Sequence, residues 1–190
     1  MNPAFANGIG LPWLIFLAYW VIASLRVNRM VRAEPAGDLM ARVLLMAAAF
    51  VLLFSDDSRI GFLNLRFIPD DYAIFVIGSA LTYAGVGIAI WARYHIAQYW
   101  SATVALRADH ELIRTGPYSR IRHPIYTGML LAVLGTAIAI GRFRALAGFA
   151  IILAGFTWKS MQEEKLLAKQ FGPAFDEHRR RTGFFLPRLS

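Results

Sequence analysis

The chain has 190 residues, 57% hydrophobic and only 17% charged, with a formal net charge of +8 and a mean hydropathy of +0.48. That is one domain's length, but it is too apolar for an ordinary soluble domain. The absence of cysteine excludes disulfides, thiolate catalysis and cysteine–metal sites together.

The apolar residues are blocked into long uncharged runs, as a bilayer requires, so the expected fold class is an all-α integral membrane protein with about five transmembrane helices. Residues 1–25 carry no Asp, Glu, Lys or Arg, and Trp13, Tyr19 and Trp20 are placed as interface anchors. A signal peptide would need a basic n-region that this stretch lacks. The second predicted span covers 39–55, with Arg42 near enough to its end to snorkel. The third, 72–92, is uncharged throughout and the clearest. The fourth, 124–141, and fifth, 145–158, are separated by the turn 141–144, and both are short for a span of ~20 residues. Gly128, Ala132, Gly135 and Ala139 share one helical face, as do Ala147, Ala150 and Ala154, which predicts a tight hairpin over 124–158. A re-entrant pair is the alternative.

All Lys and Arg residues except Arg59, Arg66, Arg142 and Arg144 fall on one side of these spans. The positive-inside rule makes that side cytoplasmic, with the N-terminus outside and the C-terminus inside. A basic face beside anionic headgroups accounts for the net charge, so membrane lipids are the expected partner and nucleic acid is not. The whole chain is read as a single membrane domain, with residues 1–92 a three-helix scaffold and 93–190 the catalytic part. The connector 93–123 and the tail beyond 158 hold all four histidines, His95, His110, His123 and His178. None of these is within a helical turn of another, so no metal is expected. The stretch "KSMQEEKLLAKQFGPAFDEHRRRTG" predicts an amphipathic helix leaving the fifth span. Gly172-Pro173 breaks it, and Pro173 opens a second short helix containing Phe175 and His178. Glu163 and Glu164 stand about one turn past Trp158, where a carboxylate calls for a partner; Lys159, Lys165 and Lys169 are within reach along the helix.

The run "YWSATVALRADHELIRTGPYSRIRHPIYTG", the apolar hairpin, and then "EEKLLAKQFGPAFDEHRRRTGFFLP" resemble the isoprenylcysteine carboxyl methyltransferase family and its phospholipid methyltransferase relatives. The likeness covers about residues 93–188. It rests on H-x-L-x-x-x-G-P-Y, R-H-P-x-Y-x-G, E-E-x-x-L and F-G-x-x-F in this order. It implies a membrane enzyme using S-adenosylmethionine, with His110, Glu111, Leu112, Tyr118, Arg122, His123, Pro124, Tyr126, Glu163 and Glu164 as cofactor-binding residues. The chemistry suits that cofactor. His123 or Arg122 offers a cation for its carboxylate, Glu163 or Glu164 an anion for its ammonium. The backbone at 110–112 with nearby aromatics offers a slot for the base. Tyr126 stands three residues past His123, placed to close the pocket. A carboxylate acceptor needs a positioning cation, for which Arg181, Arg180 and Arg93 are candidates, Arg181 and Arg93 foremost. An amine acceptor would need a base instead. Phe175 and His178 stand where relatives often carry tyrosine, which leaves the acceptor open.

The expected function is methylation of a lipophilic acceptor, foremost the carboxyl group of an isoprenylcysteine-like substrate, with N-methylation of a phospholipid as the alternative. Two readings from other classes are a sterol-reductase-like enzyme using NADPH and a non-enzymatic membrane scaffold. Such reductases carry more spans than 190 residues hold. Gly85-Val86-Gly87 lies inside an apolar run with no strand before it, so it reads as helix packing rather than a dinucleotide fingerprint.

Overall fold

The computed structural model describes residues 6–24, 36–54, 58–96 and 112–188. These form six α-helices: α1 (Leu11–Ser24), α2 (Ala36–Phe54), α3 (Tyr72–Ile96), α4 (Pro124–Ile140), α5 (Phe143–Phe171) and α6 (Pro173–Arg181). A π-helical turn, Ala6–Gly10, precedes α1, and short 3-10 turns cover Ser58–Asn64 and Gly116–Ser119. Two stretches are long and apolar enough to cross a membrane, Asn7–Ser24 and Tyr72–Ile96, and two shorter apolar helical stretches are Val43–Phe54 and Pro124–Ile140.

The helix ends follow local chemistry. Asp71 caps α3, its Oδ1 accepting from the amides of Ala73 at 2.7 Å and Ile74 at 3.3 Å. Pro124 and Pro173 occupy the first turns of α4 and α6, where a missing N–H is harmless. Gly141 ends α4 in the left-handed conformation, φ 69°, and its amide returns to the Ala137 carbonyl. Gly172, φ 50°, separates α5 from α6 at the predicted break. The predicted fifth span and the amphipathic helix after it are one continuous 29-residue helix.

The small-residue face of α4 corrects the expected pairing. Gly128 and Gly135 pack against Gly85 and Gly78 of α3, so close that a Cβ on Gly128 would lie 2.5 Å from the Ala89 nitrogen, and one on Gly135 would lie 2.6 Å from the Gly78 carbonyl oxygen. The tight antiparallel pair is therefore α3–α4. Helix α5 packs most extensively on α2, where Gly148 approaches the Ala49 carbonyl and Ile152 is buried, and meets α4 through Phe156 and Tyr126. Ala150 and Ala154, expected on its packing face, are exposed. The physical reason is register: glycines spaced by seven on both α3 and α4 mesh along the whole contact, whereas α5 offers α4 no such series.

Inside the bundle, Trp13 Nε1 donates to Thr136 Oγ1 at 3.0 Å, and Thr136 and Thr82 hydroxyls stand 3.3 Å apart, joining α1, α4 and α3 through buried polar groups. At one end, Arg144 donates to the carbonyls of Leu52 and Leu53, satisfying the end of α2, and Arg142 donates to Asn64. Residues Arg66 and Arg142 form an isolated antiparallel bridge there. Because α3 and α4 are antiparallel and Gly141 lies at this end, the start of α4 and the carboxylates of α5 fall at the other.

Candidate functional site

At that other end the chain enters α4 through Arg120–His123. The tail after α6 runs alongside it: the Arg122 amide donates to the Gly183 carbonyl at 2.9 Å and the Gly183 amide to the Arg120 carbonyl at 3.0 Å. Ile121 and Gly183 thus form a parallel bridge. Thr127 Oγ1 donates to the Phe185 carbonyl at 2.7 Å. His123 is buried, with Tyr126 stacked at 5.8 Å between ring centroids and Phe184 edge-on at 5.0 Å.

Helix α5 brings its two carboxylates onto this surface. Glu164 Oε1 accepts from Arg122 Nε at 2.6 Å and lies 3.2 Å from His123 Nε2. Glu163 Oε1 accepts from the Tyr126 hydroxyl at 2.8 Å and is 3.4 Å from Lys159 Nζ, while its Oε2 is 3.7 Å from His123 Nδ1. Lys159 is buried and lies over the Tyr126 ring at 5.3 Å. Phe156, one turn earlier on α5, stacks with Tyr126 at 4.8 Å between ring centroids. The result is a partly buried lattice of alternating charge, walled by aromatic rings.

Protonation follows from these contacts. Burial pushes the Glu164 carboxyl up, but hydrogen bonds from His123 and Arg122, with their charge, outweigh it and hold the group below its ordinary value. Burial lowers His178 on α6, as do the positive charges of Arg114 and Arg122, against a smaller opposing pull from Glu164. Burial raises the Tyr118 hydroxyl far above its usual value, Glu163 adds to the rise and Arg93 opposes it, so Tyr118 stays a neutral donor.

Residues 73–174 match the family described as phospholipid methyltransferase. The chain belongs to that family. It is 37% identical over 111 residues to the nickel-cobalt-cadmium resistance protein NccN of Alcaligenes xylosoxydans xylosoxydans, covering 56% of this chain and 48% of that one. It is 38% identical over 111 residues to the cobalt-zinc-cadmium resistance protein CzcN of Cupriavidus metallidurans, covering 56% and 47%. Similarity to the protein-S-isoprenylcysteine O-methyltransferase of Schizosaccharomyces pombe is 31% over 80 residues, covering 42% of this chain and 34% of that enzyme. The aligned part spans about half the length of the two resistance proteins, and less of the S. pombe enzyme.

Of the residues singled out by sequence, Arg122, His123, Tyr126, Glu163 and Glu164 stand together, with Pro124 starting the helix that carries them. Tyr118 is buried beside the end of α3, its hydroxyl reaching toward the Ala92 carbonyl at 3.4 Å and its ring stacked with His95. Leu112 is half-buried. His110 and Glu111 lie outside the described residues. Arg93 is buried on α3, where it donates to the Ala23 carbonyl at 3.4 Å. Arg181 is not brought to the cluster: it is exposed on α6 and paired with Glu177 at 2.7 Å. Sequence reasoning placed Lys159 only as a helix-surface partner for the carboxylates. Its burial follows from facing α4, and the legible signal was its i,i+4 spacing to Glu163. Phe156, Phe184 and Phe185 were missed as walls of the site.

Proposed function

We propose that this chain is an integral membrane methyltransferase that uses S-adenosylmethionine to methylate a lipophilic acceptor, foremost the carboxyl group of an isoprenylcysteine-like substrate. The observation that carries the reading is the convergence of Arg122 and His123 at the entry to α4, and Tyr126 on α4, with Lys159, Glu163 and Glu164 from α5. The donor set fits the cofactor: two carboxylates suit its ammonium, Lys159 and His123 suit its carboxylate, and the rings of Tyr126, Phe156 and Phe184 suit its base. When bound, S-adenosylmethionine supplies a methyl group activated by its sulfonium. The residues' work is to bind, orient and exclude water, so that acceptor and methyl meet in line. The family membership and the likeness to the S. pombe enzyme support methyl transfer. The family's description favours a second acceptor, the amine of a phospholipid headgroup. The two resistance proteins are named for metal tolerance; among the described residues no group of three or more His, Cys, Asp or Glu is disposed to hold a metal ion. The proposal of methyl transfer rests on the family and on the residues gathered at the site.

Membrane residence is part of the same reading, and its support is the exposed apolar surface: Leu14 and Val21 of α1, Leu44 and Val51 of α2 and Ile77 of α3 all face outward. With α1 to α5 as five crossings, the arginine asymmetry supports an N-terminus outside and a site on the cytoplasmic side. An acceptor in the bilayer reaches such a site sideways, since leaving the membrane costs ~0.8 kcal/mol per CH2.

Titration of detergent-purified protein with S-adenosylmethionine and with NADPH tests the cofactor. The expected result is saturable binding of the first alone, weakened about tenfold or more by His123→Ala or Glu164→Ala. NADPH binding alone would transfer the chain to the reductase class, and binding of neither would leave a scaffold. Methyl transfer to carboxylate and amine headgroups on matched tails then separates the acceptors. Equal turnover of tailless and long-tailed acceptors would argue against entry from the bilayer.

A further inference from the structure

Arg122 is engaged on several sides by the protein itself. Its Nε holds Glu164 at 2.6 Å. Its Nη1 donates to the carbonyl of Arg179 at 3.2 Å and to that of Thr182, the groups left over where α6 ends. Its guanidinium carbon lies 5.7 Å from the centre of the Phe184 ring. A cofactor carboxylate seeking the bidentate edge of this guanidinium would have to displace Glu164 or the helix carbonyls.

The segment 182–188 that follows α6 has no helix of its own. Described hydrogen bonds tie it to the start of α4, from the Arg122 and His123 amides to the carbonyls of Gly183 and Phe184, and from the Gly183 amide to Arg120. It lays Phe184 and Phe185 against the His123 ring, at 5.0 and 6.2 Å between centroids. Arg122 is the side chain joining that segment to the carboxylate face of α5.

We propose that Arg122 is a positioning residue rather than a cofactor ligand: it clamps the C-terminal segment 182–188 to Glu164, and through that clamp makes the segment one wall of the cofactor site. The second half of this statement rests on the methyltransferase reading; the clamp does not. Lysine would keep the charge but not the fork, because an ammonium on a flexible stem cannot hold a carboxylate and two carbonyls in fixed directions at once.

Two variants of the full-length protein in detergent test it: Arg122→Lys, and Gly183→Ala, whose new Cβ would run first into the Leu186 carbonyl oxygen, with Leu186 and Arg188 rather than the Arg122 or Glu164 side chain as its nearest neighbours. Amide hydrogen exchange over 182–188 is measured without cofactor, and S-adenosylmethionine affinity by calorimetry. Both variants are expected to speed exchange of the segment about tenfold and to weaken the cofactor about tenfold, with the double variant close to either single one. Unchanged exchange in Arg122→Lys overturns the clamp. Faster exchange with wild-type affinity in Gly183→Ala overturns the segment's place in the site. Should Arg122→Lys fail to fold, exchange over 182–188 in Glu164→Gln, which removes the charge that Arg122 holds, decides the clamp, and the Gly183→Ala pair of measurements decides the segment's place in the site. If the wild-type protein binds no S-adenosylmethionine, the methyltransferase reading fails while the exchange data still decide the clamp.

Discussion

The Tyr126 hydroxyl donates to Glu163 Oε1 at 2.8 Å, the same oxygen that Lys159 approaches at 3.4 Å. Two donors from different helices thus fix one carboxylate, and it is the more exposed of the two glutamates, at 24% against 15% for Glu164. Glu164 is braced by Arg122 and His123; Glu163 keeps the freer edge, the one the proposed function assigns to the cofactor's ammonium.

Tyr126→Phe removes one of those donors and leaves the ring stacked on Phe156. A hydrogen bond to a charged acceptor contributes about 1.5 to 3 kcal/mol, so cofactor affinity is expected to fall roughly tenfold or more. Thermal stability, measured on the same samples, should fall by no more than that hydrogen bond contributes, because the apolar contacts remain. A large loss of stability with unchanged affinity would assign Tyr126 to packing alone.

Acid should loosen the C-terminal part in two stages. His178 is lowered below its ordinary value of about 6.5, so the folded state favours the neutral ring. Its contribution is complete above that value and is lost as pH falls below it, as the ring gains charge beside Arg114 and Arg122. Glu164 is also lowered, so its contribution is present above the usual carboxylate value of about 4.3 and disappears as pH falls through the lowered one. Hydrogen exchange of α6 and the tail, followed from pH 7.5 downward, should show both steps. His178→Gln should abolish the first and leave the second.

Helix ends were legible because single residues dictate them: Pro124, Gly141 and Gly172-Pro173 lie where the chain must start or stop a helix. Convergence of Arg122 and His123 with Glu163 and Glu164 followed from motif order in the family likeness, since the pieces are 41 or so positions apart. The partner of a small-residue face was not legible. Gly128 and Gly135 look alike to any neighbour, and only the matching series on α3 chooses one. The tail's position was hidden for another reason: it is held by backbone hydrogen bonds to Arg120–His123, which leave no side-chain period to read. The place of Arg181 was not legible either, because an arginine's partner depends on helix face, and Glu177 one turn back pairs with it.

The proposed topology rests on helix order and charge. The end of the bundle with Arg66, Arg142 and Arg144 carries few basic residues, and the end with the site carries most of them. A reporter fused after Ser190 should therefore read cytoplasmic, and one fused before Met1 should not. If both read the same side, one of α1 to α5 does not cross, and the short α4 becomes a re-entrant element.

The contact between α3 and α4 gives the sharpest stability test. A Cβ on Gly78 would lie 2.5 Å from the Ala139 nitrogen, and one on Gly85 would lie 2.5 Å from the Gly128 carbonyl oxygen. These are backbone atoms of a packed helix, which cannot swing aside as the tip of a flexible side chain can. Adding a methyl group must push the helices apart, and α4 carries Tyr126 and His123 with it. Gly85→Ala and Gly128→Ala are each expected to destabilise by about 1 to 3 kcal/mol, the usual range for overpacking. Gly87, two residues along and on the outer face, has nothing within 4 Å of a new Cβ. Gly87→Ala should stay within about 0.5 kcal/mol of wild type or gain slightly from helix propensity. Thermal unfolding of the three variants in one detergent reads the difference directly. Equal stability of Gly85→Ala and Gly87→Ala would mean that α3 and α4 are not in backbone contact, and with them the placement of the site residues on α4 would have to be revised.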